Sequence, residues 1–488
     1  MRDLLRLDGV SRPALWLIVG RGVGLLAAVV VPLVIVRLFD QAAFGTYKQL
    51  FLIYGTLFGV AQLGAAETLY YFVPRSPAEA GRLASNAVVT LAVVGVACVA
   101  LLGLTAAPIA TWLMNPELAG TLLLLGVMLA LMLLAAPFEI VLVSNQQYKA
   151  AAYTYALSEF VRAGFILVPA MVFGGLRAVL VGAIVFAAVR VLAMLWSFWR
   201  HLGATFRPSL SLWRQQCVYT LPFALAVGME AVQGNVHHYV VASRFDPATF
   251  AIYAVGCLQI PLVDVITSSS ANVMMVKMSK DGFDSRGPAA LALWHDTTRR
   301  LALVIFPLAA FLLVMARDII VVLFTSNYLA SVPIFMLWTL SIVFSVPCVD
   351  ALLRVHAQTR FLFGLNVLRL ALVLGLTAWF LSLYGLPGAV LVTLLSTAIV
   401  RVAGMARIAR LLGIGLGAVM PWTRLAMTAA YAAIAAVPTF WFSHTSSLPR
   451  VLVLISAAAI YGATYAALCY GLSRTPVRVA PALQDVAP

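Results

Sequence analysis

The feature that most limits what this chain can fold into is the recurrence of apolar runs of about 20 residues. That is the length an α-helix needs to cross a ~30 Å hydrocarbon layer. Leu122 to Leu134 (LLLLGVMLALMLL) shows their character. Apolar and polar residues do not alternate, which excludes the ~10-residue strands of a membrane β-barrel. Only 10% of the 488 residues are charged and the mean hydropathy is +1.02, whereas soluble domains are about a quarter charged. The expected class is an all-α polytopic membrane protein with about 14 transmembrane helices, among them spans near 46–73, 118–142, 248–275 and 330–353. The first run follows Arg2, Arg6 and Arg12. It is too long for a signal-peptide core and lacks a clear cleavage site, so a retained first helix is expected.

A net charge of +15 would point to nucleic acid in a soluble domain. In a membrane chain it reflects the excess of Lys and Arg in cytoplasmic loops. With the N-terminus inside, nineteen Lys and Arg fall in loops on that side and six on the other. This places both termini in the cytoplasm and the chain in the cell's inner membrane. Loops are short, the longest polar one running from Lys277 to about Asp296, so no folded domain is expected outside the membrane. Cys98, Cys217, Cys257, Cys348 and Cys469 lie singly, and that spacing indicates neither a metal site nor a disulfide framework.

The chain repeats itself. Ala178 to Met194 (AVLVGAIVFAAVRVLAM) and Ala389 to Met405 (AVLVTLLSTAIVRVAGM) agree at nine of seventeen positions at an offset of 211, each with an arginine, Arg190 or Arg401, inside the run. An aromatic-glycine pair precedes each copy, Phe173-Gly174 and Tyr384-Gly385. Phe39 to Tyr47 matches Phe245 to Tyr253 at an offset of 206, sharing F-D-x-A-x-F-x-x-Y. Helices 1–6 therefore recur as 7–12, and an even number of helices per copy makes the repeats parallel. The expected organisation is a six-helix bundle over 1–205, a second over 206–412, two further helices over 413–474 and a cytoplasmic tail over 475–488.

Three motifs then carry a family resemblance. They are the F-D-x-x-x-F-G-x-Y turn after helix 1, Tyr219-Thr220-Leu221-Pro222 in helix 7, and Ala316-Arg317-Asp318-Ile319-Ile320 running to Leu323-Phe324 and Tyr328 after helix 9. Together with the 6+6+2 layout they resemble the O-antigen-type polysaccharide flippases of the multidrug/oligosaccharidyl-lipid/polysaccharide exporter superfamily. Ala251 stands where the family has a second glycine. The resemblance implies translocation of an undecaprenyl-diphosphate-linked oligosaccharide to the outer leaflet, with glycosyltransferases and a glycan polymerase as partners. It implies a transporter rather than an enzyme.

Ionic side chains at mid-membrane cost several kcal/mol, so they face a cavity or a partner. Arg21, Arg162, Arg190, Arg369 and Arg401 are the candidate substrate-binding residues, because a guanidinium grips phosphate oxygens with two parallel hydrogen bonds and stays charged. Glu159 and Arg162 are one turn apart and able to pair. Glu67, Glu230 and Asp264 are candidate gate or coupling carboxylates, with H+ or Na+ as the coupling ion and no other cofactor expected. Arg21 and Glu230 fall at equivalent depth in the two copies, which suggests a gate between them. His237 and His238 are expected in a solvated, unreactive place near the outer interface. Two alternatives fit less well. A multidrug exporter of the same fold would favour an acidic or apolar cavity, and a membrane polymerase or ligase would need a long outer loop.

Overall fold

A computed structural model describes Gly22, Gly24 and residues 29–202, 206–279 and 287–474. The described residues form helices and no strand: α1 (Val29–Leu38), α2 (Gln41–Ala61), α3 (Thr68–Arg75), α4 (Ala80–Leu104), α5 (Ala106–Trp112), α6 (Leu122–Ala135), α7 (Pro137–Ser144), α8 (Tyr148–Phe173), α9 (Gly175–Leu202) and α10 (Leu210–Ala242). They continue as α11 (Pro247–Gly256), α12 (Pro261–Met278), α13 (Pro288–Val314), α14 (Ala316–Phe324), α15 (Val332–Val343), α16 (Val349–Val355), α17 (Thr359–Tyr384), α18 (Leu386–Leu412), α19 (Trp422–Thr445) and α20 (Arg450–Arg474). Among the described residues ten spans are long and apolar enough to cross a membrane, eleven if the bent pair α11 and α12 counts as one. The polytopic helical class is as expected. The count falls below 14 because the first helix is described only in part, the second breaks at Gln62–Glu67, and α10 carries Glu230, Gln233 and His237 along its length.

The chain forms two compact units, the first ending at Ala254 and the second starting at Val255. The sequence repeat has other borders, near 205 and 412, so α10 opens the second repeat yet packs on α2 and α4 of the first unit. The expected tail over 475–488 lies outside the described residues.

In the first unit the F-D-x-A-x-F-x-x-Y repeat proves to be a helix start with a buried face. Asp40 caps α2 by accepting the Ala43 N–H at 2.7 Å, and Asp246 does the same for Thr249 at 2.9 Å. A capping carboxylate satisfies one of the free N–H groups that open every helix. Phe44, Tyr47, Phe250 and Tyr253 follow at helical spacing and are all buried. Gly45 is required where α2 meets Pro247, since a Cβ there would lie 1.8 Å from the Pro247 carbonyl oxygen. Between α4 and α6, Gly95 and Gly126 let the backbones approach, a Cβ on Gly95 standing 3.0 Å from Ala130. Small residues are how membrane helices gain close van der Waals packing.

In the second unit, Trp294, Leu352, Leu353, Ile408 and Met420 form the core joining α13, α16 and α18. The two added helices α19 and α20 pack on each other and on α13, where Tyr465 donates to the Leu303 carbonyl at 3.1 Å.

The fourth helix of each repeat is broken at the same place. Pro137 opens α7 directly after α6, and Pro347 precedes Cys348 at the start of α16. Proline lacks an N–H and clashes with the preceding turn, so it ends the helix before it. The carbonyl of Pro347 is taken by the buried Trp294 indole N–H at 2.6 Å. Both broken helices then end alike. Gln147 and Gln358 donate to Leu142 and Leu353 (2.8 and 2.9 Å) after left-handed residues Gln146 and Ala357, the bonding pattern of a Schellman cap. The aromatic-glycine pairs close the fifth helices, with Gly174 and Gly385 at φ 66° and 62°.

Candidate functional site

The broken helices aim a carboxylate at each repeated arginine. In the first unit Glu139 sits in the first turn of α7, and its Oε2 accepts from Arg190 Nη2 of α9 at 2.7 Å. The second arm of Arg190 donates to Ser158 Oγ of α8. Glu139 is 3% exposed and Arg190 15%, so this is a closed ion pair. Taking one partner from such a pair costs about 3–5 kcal/mol, because the other charge is left uncompensated.

The second unit repeats the arrangement 211 residues later. Asp350 sits in the first turn of α16 and Arg401 Nη1 of α18 reaches its Oδ2 at 2.8 Å. This pair is more open, with Arg401 22% and Asp350 43% exposed. Arg369 of α17, half-buried, lies within electrostatic reach of both. Of the five candidate arginines, Arg401 stands in this pair, with Arg369 within electrostatic reach of it. Arg190 stands in the first-unit pair, and Arg162 pairs with Glu159 on α8 as its one-turn spacing suggests. The side chain of Glu159 also borders Gly24, where a Cβ would lie 3.1 Å from its Cγ. Arg21 lies outside the described residues, and with it the suggested gate to Glu230.

The three candidate carboxylates form no ion pair among the described residues. Glu67 occupies the break between α2 and α3, with Oε2 buried and without a hydrogen-bond partner there. Glu230 on α10 and Asp264 in the first turn of α12 are exposed. Thr267 and Ser268 do not face the Asp264 carboxylate as partners; both hydroxyls donate to its backbone carbonyl. His237 is not solvated as expected. It is 4% exposed with Nδ1 2.8 Å from the Tyr253 hydroxyl, a partner that the repeated turn motif brings from the next helix.

The motif tyrosine of α10 also finds its place. Tyr219 stacks on Tyr71 of α3 at 4.6 Å between ring centres, and the Arg75 guanidinium lies over the Tyr71 ring, 3.6 Å from its centre. In the motif after helix 9, Phe324 and Tyr328 are buried while Asp318 lies 3.8 Å from Arg450. Glu139 and Asp350 are the residues that spacing alone did not single out. Their offset of 211, the same as that between Arg190 and Arg401, is the signal that carries them.

A family model described as "Polysaccharide biosynthesis protein" matches residues 34–333. Among curated proteins none matches the sequence. Among solved structures the chain is similar to a lipid II flippase, MurJ, in an inward closed conformation. There the TM-score is 0.67 at 13% identity over 92% of this chain and 98% of that one. It is also similar to a MOP superfamily transporter from Pyrococcus furiosus described by the reverse polarity of its binding pocket (TM-score 0.56, 14% identity, 81% and 94% covered). An outward-facing multidrug resistance MATE family transporter of the same superfamily matches equally (TM-score 0.56, 13% identity, 81% and 94% covered). At such identities the likeness establishes the fold.

Proposed function

Since the chain belongs to the polysaccharide biosynthesis protein family, we propose that it is a flippase that carries an undecaprenyl-diphosphate-linked oligosaccharide across the cytoplasmic membrane. The observation that carries this reading is family membership joined to a flippase-type fold that spans nearly the whole chain. The charge pattern supports it, since guanidiniums set among apolar helices suit a diphosphate and not a cationic drug. Transport would proceed by alternating access of the two six-helix repeats, without a chemical step on the substrate. Glu67, Glu230 and Asp264 are the carboxylates proposed for coupling to H+ or Na+, and Glu67 leads because its Oε2 is buried without a partner among the described residues. The nineteen-to-six loop charge supports an inner-membrane location with both termini inside. Glycosyltransferases and a glycan polymerase are the proposed partners.

Deletion of the gene, followed by analysis of surface glycan and of lipid-linked intermediates, tests this. Loss of surface glycan with the intermediate accumulating on the cytoplasmic side is the expected result. Normal glycan together with altered drug resistance would replace the flippase by a multidrug exporter.

A further inference from the structure

The two repeats differ in charge at one position of their arginine sites. α8 and α17 have the same length and correspond at the offset of 211, which puts Ser158 and Arg369 at equivalent places. In the first unit Ser158 is the neutral acceptor for the second arm of Arg190, so one carboxylate balances one guanidinium. In the second unit the equivalent residue is itself a guanidinium. Asp350 therefore pairs with one arginine while a second stands within electrostatic reach, and the cluster carries a surplus positive charge. Arg369 makes no hydrogen bond or ion pair among the described residues.

Its depth makes that surplus significant. Arg369 is ten residues from the start of α17 and Arg401 eleven from the end of α18, so each is about 15 Å from its helix end at 1.5 Å per residue. A guanidinium held at that depth needs an anion or water beside it. The second-unit pair is also the open one, its carboxylate 43% exposed against 3% for Glu139. An open cluster with more cation than anion is arranged to take a further anion. A closed, balanced one is arranged to hold helices together.

From this asymmetry we infer that Arg369 and Arg401 form a binding site for a phosphate-class anion, a diphosphate in the first instance, with Asp350 as the countercharge that the ligand displaces. The equivalent Glu139, Arg190 and Ser158 form a structural clamp. Each guanidinium offers two parallel N–H donors to phosphate oxygens. The inference rests on the flippase reading for the identity of the ligand, and not for the existence of the site.

The test is titration of the full chain, in phosphatidylcholine nanodiscs, with inorganic pyrophosphate and with farnesyl diphosphate. Arg369→Ser, which copies the first repeat, should weaken both at least tenfold. Arg369→Lys should give an intermediate loss, since it keeps charge and loses the two-pronged grip. Asp350→Asn should tighten binding at least threefold, a gain that a merely structural role would not produce. Glu139→Gln should lower the melting temperature and leave affinity within twofold. Tighter binding of farnesyl diphosphate than of pyrophosphate marks a lipid-linked ligand, and equal binding marks the free anion; either supports the site. The proposal is overturned if the wild type binds neither ligand, or if Arg369→Ser and Asp350→Asn leave both affinities within twofold. It is overturned too if phosphatidylglycerol in the discs abolishes pyrophosphate binding, which would give the site to a phospholipid headgroup. Normal surface glycan in the deletion strain would refute the flippase reading alone, while farnesyl diphosphate binding that ignores these substitutions would refute the site alone.

Discussion

At the scale of single residues, the repeat shows which positions are strained by choice of side chain. Gln146 and Ala357 hold left-handed backbone at the same point of both repeats, with φ 60° and 53°. Glycine is the usual occupant of that place, because an L side chain there costs about 1–2 kcal/mol. Ala357 is exposed, so no packing offsets the cost. Ala357→Gly should therefore stabilise the protein by about 0.5–1 kcal/mol, after the extra freedom of glycine in the unfolded chain is subtracted. Thermal melting in detergent reads this, and an unchanged or lower midpoint would contradict it. The same scale shows what spacing reveals and what it hides. Arg190 and Arg401 were legible because a charge inside an apolar run stands out. Glu139 and Asp350 follow a proline near the ends of the spans expected over 118–142 and 330–353, so only their common offset betrays them. The fate of His237 was illegible from its own helix, since the Tyr253 hydroxyl that engages it comes from another.

At the scale of helices, apolar length gave the spans well and their interruptions poorly. The spans expected near 118–142 and 330–353 are each two helices, α6 with α7 and α15 with α16. The prolines that divide them were in view, but membrane helices tolerate proline, as Pro169 within α8 and Pro307 within α13 do here. What decides is whether neighbouring groups take the freed carbonyls, and that is tertiary information. The start of α10 is likewise fixed by a distant residue. Asn86 of α4 accepts the Ser209 N–H at 2.8 Å and donates to the Ser209 carbonyl at 3.0 Å and to Gln216 Oε1 at 3.2 Å. Asn86 and Gln216 are 2% and 5% exposed. Asn86→Ala leaves a donor and two acceptors without this partner, which should cost about 2–3 kcal/mol. The loss should appear as a lowered melting temperature together with faster proteolysis at 206–209. Wild-type melting would show that α10 is held by its apolar face alone.

For the whole molecule, the strongest sequence signal is the sidedness of the chain. Helix packing is the same whichever face of the membrane is which, whereas insertion is biased by Lys and Arg in short loops. The nineteen-to-six division depends on the number of crossings between loops. The broken helices matter here, for a pair bent at a break could cross once or return to the same side. The bent pair α11 and α12, meeting at 46°, is the clearest instance. If every broken pair crosses once, Ser211 at the start of α10 faces the cytoplasm and Ser447 between α19 and α20 faces outward. If α11 and α12 instead turn back together, Ser447 moves to the cytoplasmic side while Ser211, which precedes the bend, stays where it was. In a chain lacking its five native cysteines, Ser447→Cys should thus react with a membrane-impermeant maleimide in intact cells, and Ser211→Cys only after permeabilisation. Both sites are exposed, so silence cannot be blamed on burial. Reaction of neither in intact cells would mean an even number of crossings between them, hence an odd number within the second repeat, and would cost the parallel repeat its basis, because two copies share an orientation only when each crosses an even number of times.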